Sequence, residues 1–144
     1  MYPRSIQVLV VEDNPSDIWL IREALRLAQI PVELAIAQDG VQATRYLKQV
    51  RQETAPRPDL VFLDLNLPGK NGYELLAEIK SVPSLLAAAI IVLSSSNAED
   101  DRQKAYDLNA SCFVTKPDSL PAYVEMARGI EKFWLGNLQL GRTA

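Results

Sequence analysis

The sequence predicts a doubly wound α/β sandwich, one sheet of five parallel strands with helices packed on both faces. Short apolar runs rich in β-branched residues alternate with helical patterns along nearly the whole chain. Several of these runs are apolar at consecutive positions, as strands buried on both faces require. Strand–helix alternation in turn imposes parallel pairing through right-handed crossovers. With 144 residues, 48% of them hydrophobic, the chain suits a single domain over 1–144 with an ample core.

The elements follow in order. Ile6 to Val11 (IQVLVV) is the first strand. Asn14-Pro15 opens a helix with Ile18, Ile21, Leu25 and Ala28 at helical spacing. Val32 to Ala37 is the second strand, and Asp39-Gly40 is a turn before a helix carrying Val41, Ala43, Tyr46, Leu47 and Val50. Glu53 to Pro58, polar with two prolines, is a loop. Leu60 to Leu63 forms the third strand and ends at Asp64; Pro68 to Gly72 is turn chemistry before a helix from Tyr73 to Lys80. Ala89 to Leu93 is the fourth strand, and one of Ser94 to Asn97 caps a helix running to about Leu108. Ser111 to Thr115 is the fifth strand, followed by Lys116-Pro117 and a helix from about Ser119 to Trp134.

Composition removes whole classes of function. A net charge of −3 without a basic stripe argues against nucleic acid as a partner. The longest apolar run, Leu85 to Leu93, falls far short of the ~20 residues that cross a bilayer. No apolar leader precedes the first strand, so a cytoplasmic protein with no membrane partner is expected. The single cysteine, Cys112, reads as a small buried apolar residue. There is no histidine, which excludes serine–histidine–acid hydrolysis and any role as the histidine side of a phosphorelay. Chemistry here rests on carboxylates, lysine and hydroxyls.

In a doubly wound sheet, ligands bind beyond the carboxyl ends of the strands at the topological switch point. The residues at those ends are Glu12-Asp13, Asp64, Ser94 and Lys116. Three carboxylates brought to one edge would repel one another, and a divalent cation removes the conflict. Oxygen ligands with retained water suit Mg2+. A carboxylate can then act as nucleophile toward phosphorus, giving an acyl phosphate, while lysine and a hydroxyl hold the remaining phosphoryl oxygens.

These motifs resemble the response-regulator receiver family. VLVVEDN (Val8 to Asn14) is similar to its first-strand acidic motif and LVFLDLNLPGKNG (Leu60 to Gly72) to its phosphoacceptor strand and loop. IIVLSSS leads to the switch hydroxyl, and FVTKP (Phe113 to Pro117) resembles the lysine motif. Asp64 and Ser94 are 30 residues apart, Ser94 and Lys116 22 apart, as in the chemotaxis receiver. The resemblance covers roughly Gln7 to Trp134 and implies a flavodoxin-like (βα)5 fold. It implies Asp64 as phosphoacceptor, Asp13 and Asp64 as direct Mg2+ ligands, Glu12 ligating through water and Asn66 through its backbone carbonyl. It further implies Ser94 as the switch hydroxyl, Phe113 as the switch aromatic, Lys116 as the partner of Asp64 or its phosphate, and a cis Lys116–Pro117 peptide. The chain is then a phosphoacceptor for a histidine kinase and no enzyme beyond accepting and releasing phosphate on its own aspartate. Glu12-Asp13-Asn14, the long Glu53 to Pro58 stretch and CFVTKP are similar to the small regulators partnered with cyanobacterial phytochromes. Glu-Asp stands where Asp-Asp is commoner, Ser94 stands where threonine is also common, and the sequence assigns no role to the long 48–58 segment.

Taken singly, these residues have plainer readings. Asp64 alone would cap a turn, Lys116 would be a solvated lysine, Phe113 would be core, and Ser96 or Asn97 is the better helix cap. Trp19, on the polar side of the first helix, either lies flat over that helix or marks a kinase-docking surface. In the last helix Leu120, Val124, Ala127 and Trp134 form the expected core stripe. Tyr123, Met126, Ile130 and Phe133 widen the apolar arc beyond the ~100° of an ordinary surface helix. That excess suggests a homodimer through the fourth helix, fifth strand and fifth helix. Only ten residues follow Trp134, so no output domain is expected in the chain. Two alternatives stand beside this reading. One is a receiver-fold interaction module that works without phosphorylation. The other is a magnesium-dependent phosphohydrolase, disfavoured because position 66 is Asn where such enzymes place a second aspartate.

Overall fold

The computed structural model describes residues 4–68, 71–95, 99–108 and 110–133. Its elements are β1 (Ile6–Val11), α1 (Pro15–Leu27), β2 (Val32–Ala37), α2 (Gly40–Arg51), β3 (Leu60–Asp64), α3 (Gly72–Lys80), a 3-10 turn (Pro83–Leu85), β4 (Ala89–Ser94), α4 (Glu99–Asp107), β5 (Cys112–Thr115) and α5 (Leu120–Phe133). The strands form one parallel sheet in the order β2-β1-β3-β4-β5, so the chain reverses its direction of travel across the sheet between β1 and β3. The 3-10 turn was not expected from the sequence; it starts at Pro83, whose fixed φ and missing N–H suit the first position of a helical turn.

Alternation along the strands divides the core in two. Leu9, Val11, Val61, Leu63, Ile90, Val92 and Phe113 face α2, α3 and α4 through residues such as Leu47, Leu76 and Ala105. Ile6, Val8, Val10, Leu60, Phe62, Ile91 and Leu93 face α1 and α5 through Ile21, Leu25, Tyr123, Ala127 and Ile130. The helices start where the sequence places polar caps. Asn14 Oδ1 accepts from the backbone N–H groups of Ser16 and Asp17, Asp39 from Gln42, and Asn71 from Tyr73. The residues expected to cap α4, Ser96 or Asn97, and the turn residues Gly69 and Lys70 lie outside the described residues.

Two helices end on non-glycine residues in the left-handed region, Gln29 (φ 61°) and Glu53 (φ 60°). The first closes with the N–H of Ile30 donating to the carbonyl of Leu25 (3.1 Å), and the second with Thr54 donating to Gln49 (2.8 Å). The second of these turns leads into the long 52–58 loop.

α5 corrects the stripe expected from the sequence. Tyr123 and Ile130, assigned to a surplus outer arc, are 0% and 3% exposed, and with Ala127 they form the buried face. Leu120, Val124 and Met126 pack only partly against the same core. Helical side chains lean toward the N-terminus, and α1 covers this side of α5, so the true stripe is rotated from the expected one. Of the four residues offered for a dimer surface, two are thus core and Met126 is half-buried. The Phe133 side chain and Trp134 lie outside the described residues. Trp19, by contrast, is 52% exposed on α1. Among the described residues no helix is long and apolar enough to cross a membrane.

Candidate functional site

The parallel register brings β1 and β3 side by side with Val11 opposite Leu63. The residues that follow emerge together at the switch point. The Glu12 N–H still bonds the Ala37 carbonyl (3.0 Å), which extends the ladder by one residue and holds Glu12 inside. Asp64, the last residue of β3, is paired in register with Leu93 of β4. Glu12 and Asp64 are 1% and 2% exposed, whereas Asp13 is exposed. Ligand atoms of Glu12, Asp13 and Asp64 all lie within 4.8 Å of one another. Asp64 Oδ1 accepts from the backbone N–H of Asn66 (2.9 Å).

Lys116 completes the site from β5. Its backbone N–H donates to the Ser94 carbonyl (2.8 Å), fixing the strand end against β4. Its ammonium donates to Asp17 Oδ2 (2.9 Å), Asp64 Oδ2 (3.2 Å) and Glu12 Oε2 (3.3 Å). Burial works to lower the Lys116 pKa, but hydrogen bonds to Asp17 and Glu12 and the charge of Asp64 outweigh it, so the pKa is raised and the group stays cationic.

One ammonium among these carboxylates leaves the cluster short of positive charge. Glu12 shows the deficit: burial first, and then Asp64, push its pKa up to about 8 against the opposing pull of Lys116. Glu12 Oε1 lies 3.1 Å from Lys116 Nζ yet is buried with no aligned hydrogen-bond donor. A buried acceptor lacking a donor, in a set of three carboxylates, fits a hard divalent cation.

Ser94 ends β4 and is 1% exposed. Phe113 is 3% exposed in β5, with the Arg102 guanidinium of α4 5.0 Å from its ring centroid. The Phe113 N–H donates to the Tyr106 hydroxyl (3.3 Å), a second tie from β5 to α4. The structure therefore gathers Glu12, Asp13, Asp64 and Lys116 around one point, with Asn66 beside Asp64 and Ser94 joined to Lys116 through the backbone. Phe113 sits behind them, between β5 and α4. The Lys116–Pro117 peptide, expected cis, is trans, as is every peptide bond among the described residues. Trans is the form X–Pro bonds favour by about 0.5–1 kcal/mol. Cys112, expected to be buried, is half-buried, and burial raises its thiol pKa.

Two acidic residues escaped the sequence reading. Asp17, in the first turn of α1, bonds both Lys116 and the Tyr123 hydroxyl (3.4 Å). Its place three residues after Asn14 reads as an ordinary helix-start acid, and nothing local points to strand five. Asp59 is 8% exposed at the opposite end of the sheet. It accepts from Arg4 (2.8 and 3.0 Å) and from the Gln7 N–H (2.9 Å), tying the N-terminal segment to β3.

Comparison with known proteins agrees with this geometry. Residues 8–128 match the profile of the response regulator receiver domain. The chain is 43% identical over 134 residues to the response regulator Rcp1 of Synechocystis sp., covering 92% of this chain and 91% of that protein. The crystal structure of the phosphorylated cyanobacterial phytochrome response regulator RcpA superposes with a TM-score of 0.83 at 45% identity, covering 96% of this chain and 99% of RcpA. The Mn2+-bound form of Rcp1 superposes with a TM-score of 0.80 at 43% identity, covering 94% and 98% of the two chains.

Proposed function

We propose, for a chain that belongs to the response regulator receiver family of two-component systems, that Asp64 accepts a phosphoryl group from the phosphohistidine of a kinase with Mg2+ bound at Glu12, Asp13 and Asp64. The observation that carries the proposal is the Asp64 carboxylate, buried at the switch point 3.2 Å from the Lys116 ammonium and clustered with two further carboxylates. When bound, the cation offsets the charge of the attacking carboxylate and of the transferring phosphoryl oxygens. An Asp64 oxygen forms the new bond to phosphorus as the phosphorus–nitrogen bond of the donor imidazole breaks, and the departing nitrogen keeps the electron pair. Lys116 holds a phosphoryl oxygen in the product. Ser94 meets another, and its shift lets the Phe113 ring change position against α4. The backbone carbonyl of Asn66 would serve as a further metal ligand. The chain performs no chemistry beyond phosphoryl acceptance and release on Asp64.

The likeness to RcpA, a cyanobacterial phytochrome response regulator, supports a phytochrome-type histidine kinase as the donor. Output goes to a protein partner or a second copy of the chain, and no nucleic acid is involved. Incubation with acetyl phosphate and Mg2+ tests the core of the proposal. One acid-stable, base-labile adduct is expected, absent in Asp64→Asn and in EDTA. An adduct that persists in Asp64→Asn refutes the assignment.

A further inference from the structure

At the start of α1, Asp17 occupies the helix position whose side chain, in a capping box, reaches back to the N–H of the cap residue. Here that N–H, on Asn14, donates to Glu12 Oε2 (3.2 Å). Asp17 is thereby released from local capping, and it makes the shortest contact of the Lys116 ammonium, at 2.9 Å. Its other oxygen accepts from the hydroxyl of Tyr123, a ring that is 0% exposed between α5 and the sheet. Burial, with the charge of Asp17 next, raises the Tyr123 pKa, so the phenol remains a donor. Asp17 is thus clamped between a fixed phenol on one side and the ammonium on the other.

The other carboxylates around Lys116 are differently placed. Glu12 and Asp64 belong to the trio whose ligand atoms lie within 4.8 Å of one another, and Asp17 does not. A cation that draws Glu12 and Asp64 to itself weakens their hold on Lys116 and leaves Asp17 as the carboxylate that keeps the ammonium in place. An ammonium has three N–H donors, so one bond to Asp17 leaves two for phosphoryl oxygens.

We propose that Asp17 is a positioning residue for phosphoryl transfer: clamped by Tyr123, it anchors the Lys116 ammonium while Glu12, Asp13 and Asp64 serve the divalent cation. This rests on Asp64 being the phosphoacceptor. The anchor makes Lys116 a pre-oriented donor, and it couples the position of Lys116 to the packing of α5 on α1.

The test compares wild type with Asp17→Ala, Asp17→Asn, Lys116→Met and the double variant Asp17→Ala/Lys116→Met. Two readouts are followed. The first is the 15N-lysine NMR signal of the Lys116 ammonium, with and without Mg2+. A hydrogen-bonded signal is expected in wild type under both conditions, lost in Asp17→Ala and displaced in Asp17→Asn. The second is phosphorylation by acetyl phosphate at saturating Mg2+. Loss of one charge-assisted hydrogen bond should slow the maximal rate in Asp17→Ala about tenfold. Mg2+ affinity and the half-saturating donor concentration should barely change, and Asp17→Asn should recover part of the rate. In the Lys116→Met background, Asp17→Ala should add nothing. An equal loss in that background, or an unchanged Lys116 signal in Asp17→Ala, overturns the proposal. If Asp17→Ala does not fold, the isosteric Asp17→Asn decides by the same readouts. Failure of wild type to form any adduct would refute the phosphoacceptor reading instead, and the NMR signal would still decide the anchor.

Discussion

The cation-free protein should lose stability as pH rises through neutrality, and Glu12 is the cause. Its pKa is pushed from 4.5 up to about 8 by burial and by Asp64. Below pH 4.5 the carboxyl is protonated in both folded and unfolded chains and contributes nothing. Between 4.5 and 8 the folded state holds a proton that the unfolded state has given up, so stability falls with pH, and above 8 the whole penalty is present. At about 1.4 kcal/mol per pKa unit, a rise from 4.5 to about 8 makes the penalty on the order of 5 kcal/mol. The side chain is 1% exposed, so solvent screens little of it. For a chain of this size that corresponds to roughly 10–20 °C in melting temperature. Thermal unfolding in EDTA from pH 5 to 8.5 should show the decline, and Mg2+ should flatten it by taking the place of the proton. Glu12→Gln in EDTA should lose most of the slope. A slope unchanged in Glu12→Gln, or a stability that rises with pH in EDTA, refutes the reasoning.

Further outcomes follow from single contacts. A Cβ at Gly72 would lie 2.6 Å from Leu65 Cα and 2.8 Å from its carbonyl oxygen. Gly72→Ala must therefore displace the backbone just after Asp64, costing about 1–3 kcal/mol by urea unfolding and slowing phosphorylation. A neutral variant would show that the loop yields freely. Gln29→Gly removes a left-handed non-glycine conformation (φ 61°) and should stabilise by up to about 1 kcal/mol in the same assay. Homodimerisation through α4, β5 and α5 no longer draws support from Tyr123 and Ile130. It predicts concentration-dependent sedimentation that strengthens with phosphorylation, and a chain that stays monomeric in both states removes it.

Strand identities, their order along the chain and the residues at their carboxyl ends were legible because each rests on local pattern. Ile6–Val11 and Leu60–Asp64 are runs that no exposed element could carry, and Asn14, Asp39 and Asn71 cap the helices that follow them. The switch point could be inferred as well, since strand alternation leaves few ways to thread the sheet. What escaped the sequence depends on how helices rotate against the sheet and against each other. α5 turns Tyr123 and Ile130 inward only because α1 lies over them, and a one-residue error in the assumed stripe exchanges core for surface. Asp17 was missed for the same reason. Its partners, Lys116 and Tyr123, are about a hundred residues away, and they reach it only through the packing of α1 against the sheet and α5. Asp17 and Tyr123 thus mark one physical fact read from two ends. The face of α5 that looked like spare apolar surface is the face that closes over the acid holding Lys116. A site written at strand ends is readable from strand patterns, whereas the group that orients its lysine sits on a helix, where only tertiary packing decides which way a side chain points.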